Sequence, residues 1–350
     1  MNDQNELLLT ENDVFAAYRL PNEEDFFIVL QNSKKMNPFD ESCYKKRGFV
    51  IFPFDKSKNI PVFIHADKVF KNIDFSFKTS IIHKNDNIVK QDYIEKVNEF
   101  ITAIKSGYRK IVLSRTKSIT NNNVDIYRLF RALDKKYKEA FVFLVNHPGV
   151  GTWIGATPET LLSTKNQIIR TMALAGTQFV GNPDDTLWEK KEIEEQKAVM
   201  DFIEKILRDN HITFVSEGPY TKIAARNDKK SLVHLATDYT FQPPKSIFKL
   251  ISQLHPTPAV SGFPKKESID FINKNEGYDR EYYTGYLGPI NIDEQDKIDL
   301  FVNLRSMKVF KNSFLLFLGG GLNSQSIPEK EWEETQNKAK TLEEVIKSLK

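Results

Sequence analysis

Short runs of apolar, β-branched and aromatic residues recur along the chain between turn-forming residues. Clear examples are the runs at 25–30, 48–52, 110–115 and 140–145. Runs of this length and composition are typical of strands, and tight turns between them favour hairpins. Segments of helical period lie among them, without the strict strand–helix alternation of a parallel sheet. The pattern therefore predicts an α+β fold with antiparallel sheets.

Longer segments carry apolar residues three or four positions apart, the spacing of an amphipathic helix. In the segment 92–106, Asp92 and Glu95 have the spacing of a capping box at the start of a helix. Ser326 and Glu329 give a similar signal before the last such segment. Further helices are predicted near 124–138, at 186–209 and from 328 onward.

The charges are balanced and interspersed, with 50 Lys+Arg against 47 Asp+Glu and a formal net charge of +3. Nucleic-acid binding is not expected, because it needs clustered basic residues. The single cysteine, Cys43, excludes an intramolecular disulfide and suits a reducing cytoplasm. The N-terminus lacks signal-peptide features, and no run reaches the roughly 20 apolar residues of a membrane helix. We expect a cytoplasmic protein, away from membranes, with one domain over residues 1–350.

Two predicted helices carry charged residues where their apolar stripes would continue. Glu195 lies four residues before Val199 in the helix at 186–209, and Glu334 and Lys338 lie four apart in the last helix. A core-facing carboxylate needs a partner, but a surface ion pair for Glu334 and a solvated position for Glu195 explain the same pattern. If both glutamates face one cleft, oxygen ligands without His or Cys favour Mg²⁺.

Lys110 and Glu159 also allow two interpretations. Lys110 opens an apolar strand and Glu159 follows Pro158, so the first can be an ordinary strand-edge charge and the second a turn residue. A lysine near other cations or partly buried can instead populate its neutral form and act as a base. A buried carboxylic acid can donate a proton to a leaving group.

A run of three glycines, Gly319 to Gly321, precedes the last helix. Backbone amides at such a place bind anions, but the run lacks the lysine and the spacing of nucleotide-binding loops. A carboxylate could use the same amides.

Taken in order, the segments from about residue 92 onward resemble the chorismate-utilising enzymes, which include anthranilate, aminodeoxychorismate, isochorismate and salicylate synthases. The matching segments are 110–115, 155–159, 174–177, 195–196, 233–237, 254–262, 279–285, 303–305, 319–321 and 331–338. Residues 1–88 carry no such motif, so 92–350 would form the motif-bearing catalytic core. The resemblance implies the fold of anthranilate synthase component I and aminodeoxychorismate synthase: two packed antiparallel sheets flanked by helices, with the active site between them.

The resemblance also implies roles. Glu195 and Glu334 match the Mg²⁺ ligands, and Arg305 matches the position that holds the enolpyruvyl carboxylate of chorismate. Lys338 and backbone amides of the glycine segments would neutralise the ring carboxylate. The other substrate-binding positions implied are Gly176, His234, Ala259, Tyr283, Gly320 and Gly321.

The identity of residue 110 decides the reaction within this family. Enzymes that add water have lysine there, whereas anthranilate synthase typically has glutamine and uses ammonia. Lys110 would take a proton from water attacking C2 of the ring, and Glu159 would protonate the hydroxyl leaving C4. The resemblance therefore implies an isochorismate synthase, an isomerase acting on chorismate with Mg²⁺, without a glutamine amidotransferase subunit. We expect a monomer.

Two matters stay open at this stage. A salicylate synthase would form isochorismate and then eliminate pyruvate, although Glu281 replaces a glycine of the lyase pattern. Isochorismate feeds menaquinone, siderophore and salicylate biosynthesis, and of these we expect menaquinone. Gln196 stands where the family usually has His, which bears on substrate contacts more than on the reaction.

Overall fold

The computed structural model describes residues 6–84, 87–121, 123–226 and 231–349. The helices in this part of the chain are α1 (Lys90–Lys105), α2 (Ile126–Lys136), α3 (Lys190–Asp209), α4 (Ile247–Leu254), α5 (Lys265–Asn275) and α6 (Pro328–Lys347). Its strands are β1 (Leu7–Thr10), β2 (Val14–Arg19), β3 (Phe26–Gln31), β4 (Gly48–Phe52), β5 (Val62–His65), β6 (Lys68–Lys71), β7 (Phe75–Lys78), β8 (Lys110–Thr120), β9 (Phe141–His147), β10 (Gly151–Thr157), β11 (Thr160–Lys165), β12 (Ile168–Val180), β13 (Phe214–Arg226), β14 (Ser231–Phe241), β15 (Gly262–Phe263), β16 (Tyr286–Ile290), β17 (Asp299–Val302), β18 (Ser306–Val309) and β19 (Ser313–Leu322).

Most strands form two large sheets. One has nine strands in the order β15-β8-β19-β18-β10-β9-β2-β3-β6, and the other has eight in the order β13-β14-β12-β11-β17-β16-β4-β5. Their strand pairs are antiparallel. Strands β1 and β7 pair in parallel as a separate small sheet, which the sequence pattern does not predict. The predicted α+β class with two antiparallel sheets is confirmed.

The two large sheets pack face to face through aromatic and aliphatic side chains. Phe141 of β9 stacks on Phe301 of β17 with ring centroids 4.2 Å apart. Residues of both sheets share this buried cluster, and separate clusters hold α2 and α6 on the nine-stranded sheet and α3 and α4 on the eight-stranded sheet. Central strands are therefore buried on both faces, which explains why their sequences are continuous apolar runs.

The first part of the chain completes both sheets. Strands β2, β3 and β6 extend the nine-stranded sheet, and β4 and β5 close one edge of the other. Residues without family motifs thus contribute to the framework that carries the motifs.

Both predicted helix caps are wrong. Helix α1 begins at Lys90 after Val89, before the predicted cap at Asp92, and its cap position makes no side-chain hydrogen bond. Helix α6 follows Ile327, and the hydroxyl of Ser326 accepts a hydrogen bond from the amide of Asn323 instead. Within the described residues, no helix is both long enough and apolar enough to cross a membrane.

Candidate active site

A cleft forms where β8 and β19 of the nine-stranded sheet meet β12 and β14 of the other sheet, with α3 and α6 over it. The residues predicted from the sequence all line this cleft: Lys110, Glu159, Gly176, Glu195, His234, Ala259, Tyr283, Arg305, Gly320, Gly321, Glu334 and Lys338. The empty space of the cleft and its mouth is about 1030 Å³. The first and last residues of this set, Lys110 and Lys338, are more than 200 positions apart in the sequence, and the fold brings them into one cleft.

Lys110 enters the cleft over the glycine run. The pairing of β8 with β19 sets Val112 opposite Gly321, and a Cβ added at Gly321 would lie 2.5 Å from Cε of Lys110. The same Cβ would lie 3.6 Å from Oε1 of Glu195. Only 4% of Lys110 is exposed, so the interpretation as a solvated strand-edge charge is wrong.

Glu159 lies between β10 and β11 and is also buried, with 4% exposed. Burial raises the pKa of its carboxyl group to about 7, against the opposing effects of Lys110, Lys222 and Arg305. Near neutral pH this group therefore populates both its protonated and its ionised form, as a proton donor must. Glu159 thus lies in the connection after Pro158, as a turn residue would, but its side chain is buried in the cleft.

Arg305 and His234 form a fixed pair on the other side of the cleft. Nη2 of Arg305 lies 2.6 Å from Nε2 of His234, and Nδ1 of His234 lies 3.0 Å from the carbonyl oxygen of Gly176. A guanidinium only donates, so Nε2 must accept and Nδ1 carries the hydrogen. Burial, followed by the charge of Arg305, holds the pKa of His234 well below its ordinary value. The neutral imidazole thus orients the guanidinium.

The two predicted metal ligands come from different helices, Glu195 from α3 and Glu334 from α6. Oε1 of Glu334 lies 2.6 Å from Nζ of Lys338, which also donates to the carbonyl oxygen of Gly319 at 2.8 Å. Burial opposes ionisation of Glu334, but Lys338 and, more weakly, Lys191 and Lys110 bring its pKa below the ordinary value. Glu334 is therefore an ionised carboxylate. The i,i+4 ion pair with Lys338 that the sequence allows does form, but in the wall of the cleft, with 26% of the Glu334 side chain exposed.

Sequence reasoning did not assign a role to Lys191 and Glu192, which line the cleft, or to Glu331, which pairs with Lys191 beside it. Nζ of Lys191 lies 3.0 Å from Oε1 of Glu331, an ion pair that joins the first turns of α3 and α6. Glu192 packs against Gly176, where an added Cβ would lie 2.9 Å from its Cβ. Glu192 and Glu331 each precede a predicted metal ligand by three residues, and helical periodicity places them on the same faces.

The donor set fits a hard cation. Oε2 of Glu192 and Oε2 of Glu331 are buried and have no hydrogen-bond partner among the described residues. In that part of the chain no group of three or more His, Cys, Asp or Glu side chains is arranged to hold a metal ion. Two carboxylates, Glu195 and Glu334, suit Mg²⁺, which usually keeps several positions for water and substrate.

Aromatic and aliphatic residues form the remaining wall. The ring of Tyr283 stacks on Phe317 with centroids 5.3 Å apart, and a Cβ at Gly319 would lie 3.0 Å from the Tyr283 hydroxyl. Ala259 and Leu304 line the same side. The cleft thus combines an apolar wall with cations and carboxylates, the composition of a pocket for a small polar ligand.

Two curated relatives match most of this chain. The isochorismate synthase MenF of Bacillus subtilis is 28% identical over 271 residues, or 75% of this chain and 57% of that protein. The salicylate biosynthesis isochorismate synthase of Pseudomonas aeruginosa is 28% identical over 272 residues, or 74% of this chain and 56% of that protein. The chain therefore spans a little over half the length of these relatives.

The solved structure of the menaquinone-specific isochorismate synthase MenF of Escherichia coli has the same fold, with a TM-score of 0.79 at 20% identity over 99% of this chain and 91% of that chain. The family model described as chorismate binding enzyme matches residues 64–347. Because this match covers most of the chain, the protein belongs to the chorismate binding enzyme family.

Proposed function

We propose that this protein is an isochorismate synthase, which converts chorismate to isochorismate with Mg²⁺. The observation that carries the proposal is the placement of a buried lysine, Lys110, and a buried carboxyl group of pKa about 7, Glu159, in one cleft. Water addition at C2 with loss of the C4 hydroxyl needs one base and one acid, and the cleft supplies both.

In this mechanism Lys110 accepts a proton from the water that forms the new C2–O bond. Glu159 gives its proton to the C4 oxygen as that C–O bond breaks, so one water enters and one leaves. A positioned acid or base typically contributes about 10² to 10⁴ in rate. Lys110 must be neutral and Glu159 protonated before each turnover.

The other charges of the cleft are proposed to hold the two substrate carboxylates. Arg305, oriented by His234, suits the enolpyruvyl carboxylate because a planar guanidinium binds carboxylates in a bidentate manner. Lys338 and the glycine amides suit the ring carboxylate. When bound by Glu195 and Glu334, Mg²⁺ would supply further positive charge at that carboxylate.

The pathway is a finer proposal. The relatives include a salicylate biosynthesis isochorismate synthase and a menaquinone-specific isochorismate synthase, and we propose that this chain supplies isochorismate for menaquinone. Because Lys110 is expected to select water over ammonia, no glutamine amidotransferase subunit is proposed.

The direct test is incubation of the purified protein with chorismate and Mg²⁺, followed by chromatographic identification of the product and an assay for pyruvate. We expect isochorismate without stoichiometric pyruvate. Lys110→Gln should abolish isochorismate formation while chorismate still binds in the presence of Mg²⁺. Pyruvate and salicylate as products would favour a salicylate synthase, and full activity of Lys110→Gln would remove the assigned base.

A further inference from the structure

Strand register places one more lysine, Lys222, on the cleft side of the eight-stranded sheet. In β13 Lys222 lies opposite His234 of β14, and His234 lies opposite Thr177 of β12. Directly opposite residues of antiparallel strands point to the same face. Since His234 and Thr177 line the cleft, Lys222 also points between the two sheets, from the outermost strand.

The side chain of Lys222 reaches inward across this face. Its Nζ lies 3.6 Å from the sulfur of Met172 on β12, two strands away. The intervening strand β14 presents the small side chain of Ala236, which is fully buried. Strand β12 is paired in turn with β11, and Glu159 immediately precedes β11. The ammonium group of Lys222 thus extends from β13 across the sheet in the direction of Glu159.

We propose that Lys222 is a positioning residue that supplies a positive charge beside the Glu159 carboxyl group and so sets the proton occupancy of the proposed acid. This inference rests on the proposed function of Glu159. Lys222 is not among the residues that line the cleft, so we assign it a role through Glu159 and not a contact with substrate.

Charged groups reach Glu159 from several elements. Lys110 on β8, Lys222 on β13 and Arg305 before β18 lower its pKa, in that order of effect, while burial raises it. Tyr283, whose pKa is raised chiefly by burial and also by Glu159, is a further ionisable neighbour.

Lys222 has its own charged surroundings on the same face. Burial lowers its pKa, whereas Asp238 raises it, Arg170 lowers it, and Glu159 and Glu139 raise it. Asp238 in turn accepts hydrogen bonds from Arg170 and Tyr220. Lys222 thus lies between this polar cluster and the proposed acid.

Replacing Lys222 by methionine removes the charge and keeps a side chain of similar shape beside Met172. With one cation fewer, Glu159 should keep its proton to higher pH. We expect the midpoint of its titration to rise by at least half a pH unit, which corresponds to about threefold in the protonated fraction at a fixed pH well above the midpoint.

The experiment is a pH titration of the free protein labelled with ¹³C at the glutamate side-chain carboxyl carbon, followed by NMR, with the Glu159 signal assigned from Glu159→Gln. The midpoint should rise in Lys222→Met and return in Lys222→Arg. Lys165→Met, at the exposed end of β11, is the matched control and should leave it unchanged.

An unchanged midpoint in Lys222→Met, or the same rise in Lys165→Met, would overturn the inference. The titration contains no chorismate, so its result is independent of whether the protein proves to be an isochorismate synthase. If the proposed function holds as well, the limb of the pH–rate profile that belongs to Glu159 should move in the same direction.

Discussion

A single methyl group at Gly321 should displace the proposed catalytic lysine. A Cβ at this position would lie 2.5 Å from Cε and 3.0 Å from Nζ of Lys110. Carbon atoms in ordinary contact are about 3.5–4.0 Å apart, so the end of Lys110 must move by about 1 Å. A misplacement of about 1 Å can cost on the order of 10²-fold in rate. We therefore expect Gly321→Ala to lower kcat for isochorismate formation about 10²-fold.

The fold should tolerate this change. Gly321 lies in β19 and does not have the left-handed backbone that disfavours side chains, and the clash is with the flexible end of a lysine. We expect the free energy of unfolding to change by no more than about 1 kcal/mol, because alanine also restricts the unfolded chain. The selective loss of activity is the signature of a displaced catalytic group.

The assay is chromatographic quantification of isochorismate at saturating chorismate, together with urea denaturation. Gly181→Ala is the matched control, because no heavy atom lies within 4 Å of a Cβ added there, and it should retain activity and stability. The reasoning is refuted if Gly321→Ala keeps its kcat, or if its activity falls only in proportion to lost folded protein.

Three further predictions concern the acid, the arginine anchor and the metal. The pKa of Glu159 is raised by burial from 4.5 to about 7, so the folded protein binds more protons than the unfolded chain between these values, and its stability falls as pH rises through them. The unfolding free energy of Glu159→Gln, relative to that of the wild type, should therefore increase by up to about 3 kcal/mol from pH 4 to pH 8, as measured by urea denaturation. An equal pH dependence in both proteins would contradict this. His234→Ala should raise KM for chorismate more than it lowers kcat, since it removes the contact of His234 that orients the Arg305 guanidinium, and steady-state kinetics that show the reverse would argue against an anchoring role. Mg²⁺ should raise the Tm of the wild-type protein but not that of Glu195→Gln, and an unchanged response in the variant would remove Glu195 as a ligand.

Much of the fold follows from local sequence pattern. Continuous apolar runs such as 140–145 predict strands that are buried on both faces. The structure places Phe141–His147 in such a central strand. The starts of α1 and α6 could not be predicted in the same way. Serine is a common helix-capping residue, but the hydroxyl of Ser326 accepts a hydrogen bond from the amide of Asn323 in the preceding turn. The parallel pairing of β1 with β7 depends on contacts distant in sequence.

The site, like the fold, could be predicted only in part from the sequence. Considered alone, Lys110 and Glu159 each fit an ordinary structural role. The order of the motifs along the chain predicts that both belong to one site, and the structure places both in one cleft. The ion pair between Lys191 and Glu331 depends on how close α3 and α6 approach, which no local pattern encodes. The position of Lys222 relative to Glu159 could not be predicted from the sequence either, because it depends on the register of three strands.

The central claim is that water attacks chorismate at C2 while the C4 hydroxyl leaves. Incubation with chorismate and Mg²⁺ in water enriched in ¹⁸O, followed by mass spectrometry of the isochorismate, tests this most directly. The account predicts one ¹⁸O atom, located in the C2 hydroxyl, and no isochorismate from Lys110→Gln. Isochorismate that carries no ¹⁸O would contradict the proposed chemistry.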